Sequence, residues 1–176
     1  YTTLFRSHSC GVVLQDSHVF SESLARNIAV EDKHIDRTRL RTAARQANLE
    51  EFIEKLPLKY QTMVGAEGVG LSRGQEQRIF IARALYKDPS FVFLDEATNS
   101  LDANNERIIT GNLLDFCKGR TVLIVAHRLS TIRHADKIVV LHKGRIVEEG
   151  THDELCARHG YYYELINNQL IAMGNE

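Results

Sequence analysis

Two carboxylates stand side by side where an apolar run ends in "FVFLDEATNS": Asp95 and Glu96. Phe91 to Leu94 is continuously apolar, as expected of a β-strand covered on both faces. The C-terminal end of such a strand is the edge at which open α/β sheets bind ligands. A carboxylate there can help to hold Mg2+ through water, because Mg2+ keeps much of its hydration shell. The adjacent carboxylate can polarise an attacking water as a general base. Taken alone, the pair also fits two strand-end acids facing solvent.

"LSRGQ", upstream of that strand, adds a second element. Ser72 and Gln75 have capping-box spacing, in which each side chain satisfies a free backbone donor at a helix start. Free amides and the helix dipole favour an anion at such a terminus, and Gly74 permits close approach. His127 ends a further apolar run, "TVLIVAH", and so belongs at the same sheet edge as Asp95 and Glu96. An imidazole there is placed to contact a terminal phosphate.

The elements that carry these residues can be read from periodicity and punctuation. "CGVVLQ" (Cys10 to Gln15) reads as a strand and is followed by a loop into a short helix. Leu40, Ala43, Ala44 and Ala47 recur at helical spacing and predict an amphipathic helix over about 36–47. "LEEFIEKL" predicts a second helix that stops before Pro57, and "VGAEGVG" a glycine-punctuated loop. The helix opened by Ser72 runs to the region of Pro89. "ANNERIITGNLLDFC" reads as a helix, "TVLIVAH" as a buried strand, and "KIVVLHKGRIVEEG" as a hairpin turning at Lys143-Gly144. Thr151 and Glu154 form another capping box, and a last helix starts near Tyr161. Apolar strands separated by helices predict an α/β fold with a parallel sheet and helices on both faces. The expected division is an α/β core over 8–19 and 89–160, a helical subdomain over about 20–88, and a C-terminal helix over 161–176.

Composition narrows the class. The 176 residues are 43% hydrophobic and 26% charged, with a net charge of −1 and a pI near 6.8. That balance gives no electrostatic case for binding nucleic acid or anionic membrane. The basic run from Arg37 to Gln46 fits the solvated face of a helix. Cys10, Cys117 and Cys156 form no CxxC pair, which argues against a disulfide framework or a zinc site and for a reducing compartment. No apolar run approaches the roughly 18 residues that span a bilayer.

In order, the chain carries Gln15 after a strand, "LSRGQ" opening a helix, "FVFLDE", "SLD" and a strand-terminal His127. This succession resembles the nucleotide-binding domain of ATP-binding cassette (ABC) transporters, with its Q-loop, signature, Walker B, D-loop and H-loop. The resemblance runs from about Cys10 to the C-terminal helix and implies a P-loop NTPase core with an inserted α-helical subdomain. It also implies ATP and Mg2+ as cofactors. Gln15 would reach Mg2+ and the attacking water, Asp95 would support Mg2+, and Glu96 would be the catalytic base. His127 would contact the γ-phosphate. Ser72, Gly74 and Gln75 would close over ATP held by a second nucleotide-binding domain, with Asp102 bridging the two subunits. Glu67 matches the position that in exporters communicates with the transmembrane domains. Arg73 stands where the commonest signature has glycine, a position at which the family varies.

The segments around these motifs look closest to exporters, including bacterial peptide exporters that carry a leader-peptidase domain. The expected setting is then the cytoplasmic face of the inner membrane, reached only through the transmembrane domains. A non-transport ABC ATPase and a non-catalytic regulatory cassette are the alternative readings. No glycine here is followed by Lys-Ser or Lys-Thr, so the phosphate-binding Walker A loop and the strands around it are expected upstream of the chain. Residues 1–7, "YTTLFRS", are what a widely used sequencing-adapter oligonucleotide encodes, and native sequence is expected from about His8. A fragment of this kind is expected to be inactive by itself.

Overall fold

The computed structural model describes residues 9–14, 17–30, 32–98, 100–125 and 132–173. The chain divides into two compact units at Val125/Ala126.

The first unit holds a three-stranded parallel sheet in the order β1-β4-β5. β1 is Cys10–Val13, β4 is Phe91–Asp95 and β5 is Thr121–Val125. Val12 pairs with Phe93 and Phe93 with Leu123, while Asp95 pairs with Val125 at the C-terminal edge. Between β1 and β4 lies a mainly helical stretch. β2 (Glu22–Ser23) and β3 (Met63–Val64) form a short antiparallel pair that brackets α1 (Leu24–Ile28), α2 (Arg37–Gln46) and α3 (Glu50–Glu54). α4 (Arg73–Lys87) follows β3, and α5 (Ala103–Cys117) joins β4 to β5.

α2, α4 and α5 each start where a capping residue stands. The Asp36 carboxylate accepts from the Thr38 and Arg39 amides at 2.8 and 3.1 Å, fixing the start of α2. The expected capping box opens α4: Gln75 N–H donates to Ser72 Oγ at 3.3 Å, and Ser72 N–H donates to Gln75 Oε1 at 2.8 Å. α4 ends at Asp88, in the left-handed conformation, directly before Pro89. Its Ile79, Ile81 and Ala82 are fully buried with Val13, Val92 and Leu94 of the sheet and Ile109 of α5 in one core. Burying one isoleucine of this kind stabilises the fold by roughly 1.5–3 kcal/mol.

The sheet departs from expectation in one respect. β4 and β5 are not covered on both faces: Phe91, Phe93, Leu123 and Val125 are exposed and, with Val12, form a continuous apolar surface. The helices share their core with the face that carries Val13, Val92 and Leu94. A run of apolar residues identifies a strand but not how many layers this chain supplies to cover it.

The second unit contains the antiparallel hairpin β6 (Ile138–His142) and β7 (Arg145–Gly150), turning at Lys143-Gly144 as expected. Both turn residues have φ near +50 to +73°, the conformation a tight two-residue hairpin turn requires. Thr151 caps α6 (His152–Ala157) through its box with Glu154, and α7 (Tyr161–Met173) follows. Ile138, Val140, Leu155, Tyr162 and Ile166 make the core of this unit.

Candidate functional site

The C-terminal end of β4 runs straight into a turn that carries Glu96, Ala97, Thr98 and Ser100 and ends at Asp102, the N-cap of α5. Asp95 and Glu96 are half-buried, whereas Ala97, Thr98 and Leu101 are buried. Glu96 has a left-handed backbone (φ +49°), uncommon for a residue with a side chain and concentrated at functional sites. Its N–H donates to the Val125 carbonyl at 3.0 Å, continuing the β4–β5 ladder one residue past the strands.

The N terminus of α4 abuts this turn. A Cβ on Gly74 would lie 3.1 Å from the Ser100 carbonyl oxygen, so a side chain at Gly74 would need the turn to yield by a few tenths of an ångström. Glycine therefore serves a close approach between the helix start and the turn, in addition to leaving the helix end open to a ligand. Ser72 and Arg73 are exposed there. Gln77, one turn into α4, bonds to both sides of the turn: its amide donates to the Glu96 carbonyl at 2.9 Å and accepts from the Ser100 N–H at 2.8 Å.

Asp102 is tied in from below. Its carboxylate accepts from the backbone and side-chain N–H groups of Asn105, and these bonds hold its pKa below the usual aspartate value. Asn105 Oδ1 accepts from Asn48 Nδ2 at 2.7 Å, and the Asn48 carbonyl accepts from Arg78 Nη1 at 2.6 Å. Arg78 Nε also donates to the Gly74 carbonyl at 3.2 Å. Burial lowers the Arg78 pKa, and the charge of Asp102 opposes that shift. The α2–α3 junction, α4 and the start of α5 thus meet in one polar network behind Gly74 and Asp102.

The structure brings together Ser72, Gly74, Gln75, Asp95, Glu96 and Asp102 around one sheet edge and the helix end beside it. Glu67 sits apart, exposed in the loop that follows β3. Gln15 and His127 lie outside the described residues. Gln77, Arg78, Asn48 and Asn105 were not singled out by sequence reasoning. For Gln77 a signal did exist, because it lies three residues after Gly74 and so on the same helix face. A cleft of about 400 Å3 lined by Arg39, Gln46, Asp88, Phe116 and Arg120 lies near the opposite ends of β4 and β5. Its arginines are already engaged, Arg120 with the Pro89 carbonyl at 3.0 Å and Arg39 with the Tyr86 carbonyl.

The donor set fits a nucleotide phosphate and a water-rich cation. The helix end offers a hydroxyl, open first-turn backbone and an adjacent arginine, which suits an anion. No group of three or more His, Cys, Asp or Glu side chains that could hold a metal occurs among the described residues. A single carboxylate at Asp95 suits Mg2+, which takes one or two protein carboxylates and otherwise water and substrate phosphate.

Comparison with known proteins decides the family. The profile of the ABC transporter family matches residues 2–99, more than half of the chain. This chain belongs to the ABC transporter family. It is 49% identical over 156 residues to the toxin RTX-I translocation ATP-binding protein of Actinobacillus pleuropneumoniae, covering 88% of this chain and 22% of that protein. It is also 49% identical over 158 residues to the ATP-dependent lipid A-core flippase of Saccharophagus degradans, covering 90% of this chain and 27% of that protein. A solved bacterial Atm1-family ABC exporter with ATP bound superposes with a TM-score of 0.88 at 39% identity, over 93% of this chain and 29% of that one. The chain therefore spans about a quarter of the length of the proteins it matches, and its α/β fold is that of an exporter nucleotide-binding domain.

Proposed function

We propose that this ABC chain is part of the ATP-hydrolysing domain of an exporter, in which hydrolysis at an interface between two nucleotide-binding domains drives transport. The observation that carries this reading is the close approach of Gly74 to the Ser100 carbonyl, which builds the signature helix end and the carboxylate-bearing end of β4 into one unit. Ser72, Gly74 and Gln75 present a helix end to a terminal phosphate of ATP held mainly by a second nucleotide-binding domain. Glu96 takes the proton of the attacking water as general base. Asp95 supports Mg2+ through water, and the ion supplies neutralisation of phosphate charge when bound. Asp102 faces the second domain. Gln15 and His127 are assigned to the Mg2+–water site and the γ-phosphate on their sequence positions.

Transmembrane domains of the same exporter are the second partner, with Glu67 on the coupling side, and the domain works at the cytoplasmic face of the inner membrane. No helix among the described residues is long and apolar enough to cross a membrane. The cargo class follows from membrane segments; relatives of equal identity bear names for toxin translocation and for lipid A-core flipping. The test is phosphate release from ATP by the full-length polypeptide reconstituted in lipid. Mg2+-dependent turnover is expected, and no turnover with Mg2+ and lipid present would contradict the proposal.

A further inference from the structure

The turn after β4 is held by a side chain to which the proposed chemistry gives no part. Gln77 Nε2 donates to the Glu96 carbonyl at 2.9 Å, and its Oε1 accepts from the Ser100 N–H at 2.8 Å. The Glu96 N–H is bonded from the other side, to the Val125 carbonyl of β5 at 3.0 Å. Both backbone polar groups of Glu96 are therefore fixed, one by the sheet and one by α4. A left-handed glutamate is strained and persists where its surroundings over-determine it. The two bonds of Gln77 add to that constraint beside the bond to Val125: one amide links Glu96 to Ser100.

Gln77 also lies one helical turn from Gly74, which packs against the carbonyl of Ser100, the residue whose N–H Gln77 binds. The two contacts tie the first turns of α4 to Glu96 and to Ser100. The helix end that faces a phosphate and the backbone that aims the Glu96 carboxyl cannot move independently.

We propose that Gln77 is a positioning residue for ATP hydrolysis: it sets the orientation of Glu96 and couples it to the Ser72–Gln75 helix end. The inference rests on Glu96 being the general base. Only a side chain of this length with one donor and one acceptor makes both bonds. An ionised glutamate keeps the bond from Ser100 and loses the one to Glu96, and methionine keeps the shape and loses both.

The test is a double-mutant cycle on the full-length polypeptide in lipid, reading kcat and KM for ATP. Gln77→Met lowers kcat by about tenfold to a hundredfold, the scale of a small misplacement of a catalytic group, and leaves KM within about twofold. In a Glu96→Gln background the same substitution changes the residual rate by less than about twofold, because its effect passes through the Glu96 carboxyl. Gln77→Glu, which retains the Ser100 bond, gives the same pattern and carries the test if the methionine variant does not fold. Equal losses in both backgrounds, or an unchanged kcat in either Gln77 variant, would overturn the proposal. A Glu96→Gln protein as active as wild type would remove the general-base reading beneath it, an outcome distinct from loss without coupling.

Discussion

Arg83 holds Asn27 at two points: Nε donates to the Asn27 carbonyl at 2.5 Å and Nη2 to its side-chain oxygen at 2.8 Å. Nη1 donates to the His18 carbonyl at 2.9 Å, and the guanidinium lies 4.9 Å from the Phe20 ring centre and 5.1 Å from that of Phe80. Asn27 is fully buried and donates in turn to the carbonyls of Phe20, Glu22 and Ser23. α4 thereby fastens the segment that enters α1. Burial pulls the Arg83 pKa down to about 10, which still leaves it charged at neutral pH.

Removing that fork takes a charged donor from the part-buried Asn27 carbonyl and leaves Asn27 Oδ1 with the Phe20 N–H alone. Arg83→Met is expected to lower the unfolding free energy by roughly 2–4 kcal/mol, because bonds to a charged donor are lost and their acceptors remain. Arg83→Lys is expected to recover less than half of that, since an ammonium lacks the planar fork. Urea denaturation of the chain measures both. A lysine variant as stable as wild type would show that charge, not the fork, is what counts.

Two helix-start carboxylates make stability depend on acid. Asp102 accepts from Asn105, and Glu154 completes the Thr151 box. The bonds to Asn105 and to Thr151, respectively, hold the two pKa values below their ordinary 3.8 and 4.5. A carboxylate with a depressed folded pKa stabilises fully above its unfolded pKa, and that contribution is lost as pH falls through the folded value. The urea midpoint is therefore expected to be flat from pH 7 to about 5 and to fall below about 4.5. Asp102→Asn and Glu154→Gln keep an acceptor and remove the titration, so together they make the acid limb shallower, the share of Glu51 with Lys55 remaining. An acid limb unchanged in the double variant would contradict this origin.

The open sheet face has a consequence for the chain in isolation. Val12, Phe93 and Leu123 are register partners across β1, β4 and β5, and all three are exposed. A contiguous apolar patch on a soluble domain promotes association. Phe93→Thr combined with Leu123→Thr is expected to reduce anilinonaphthalene-sulfonate fluorescence and light scattering severalfold, while the urea midpoint stays within about 0.5 kcal/mol equivalents, as for surface substitutions. Unchanged scattering in that variant would place the adhesive surface elsewhere.

Local spacing carried most of what was legible. Ser72 with Gln75, Thr151 with Glu154 and Lys143-Gly144 each act within a few residues, and all three form the caps or turn that their spacing demands. Asp95 and Glu96 could be placed at a strand end because the apolar run before them stops so abruptly. Long-range partners were not legible. Gln77 meets Glu96 across 19 residues, and Asn48 meets Asn105 across 57. No periodicity announces such a pair, because the fold alone brings the two segments together. The pairing of Glu22–Ser23 with Met63–Val64 was hidden for the same reason, each strand being too short to show alternation. Which face of the sheet this chain covers was not legible, because Phe91 and Phe93 look as core-like in sequence as Val92 and Leu94 do.

Glu96, the proposed general base, can be tested by one substitution. Full-length wild type and Glu96→Gln are compared in lipid for single-turnover ATP hydrolysis and for equilibrium binding of radiolabelled ATP with Mg2+. Hydrolysis is expected to fall by about a hundredfold or more, as for loss of a general base, with ATP affinity within about threefold. A Glu96→Gln protein that retains more than about a tenth of the wild-type rate would contradict it.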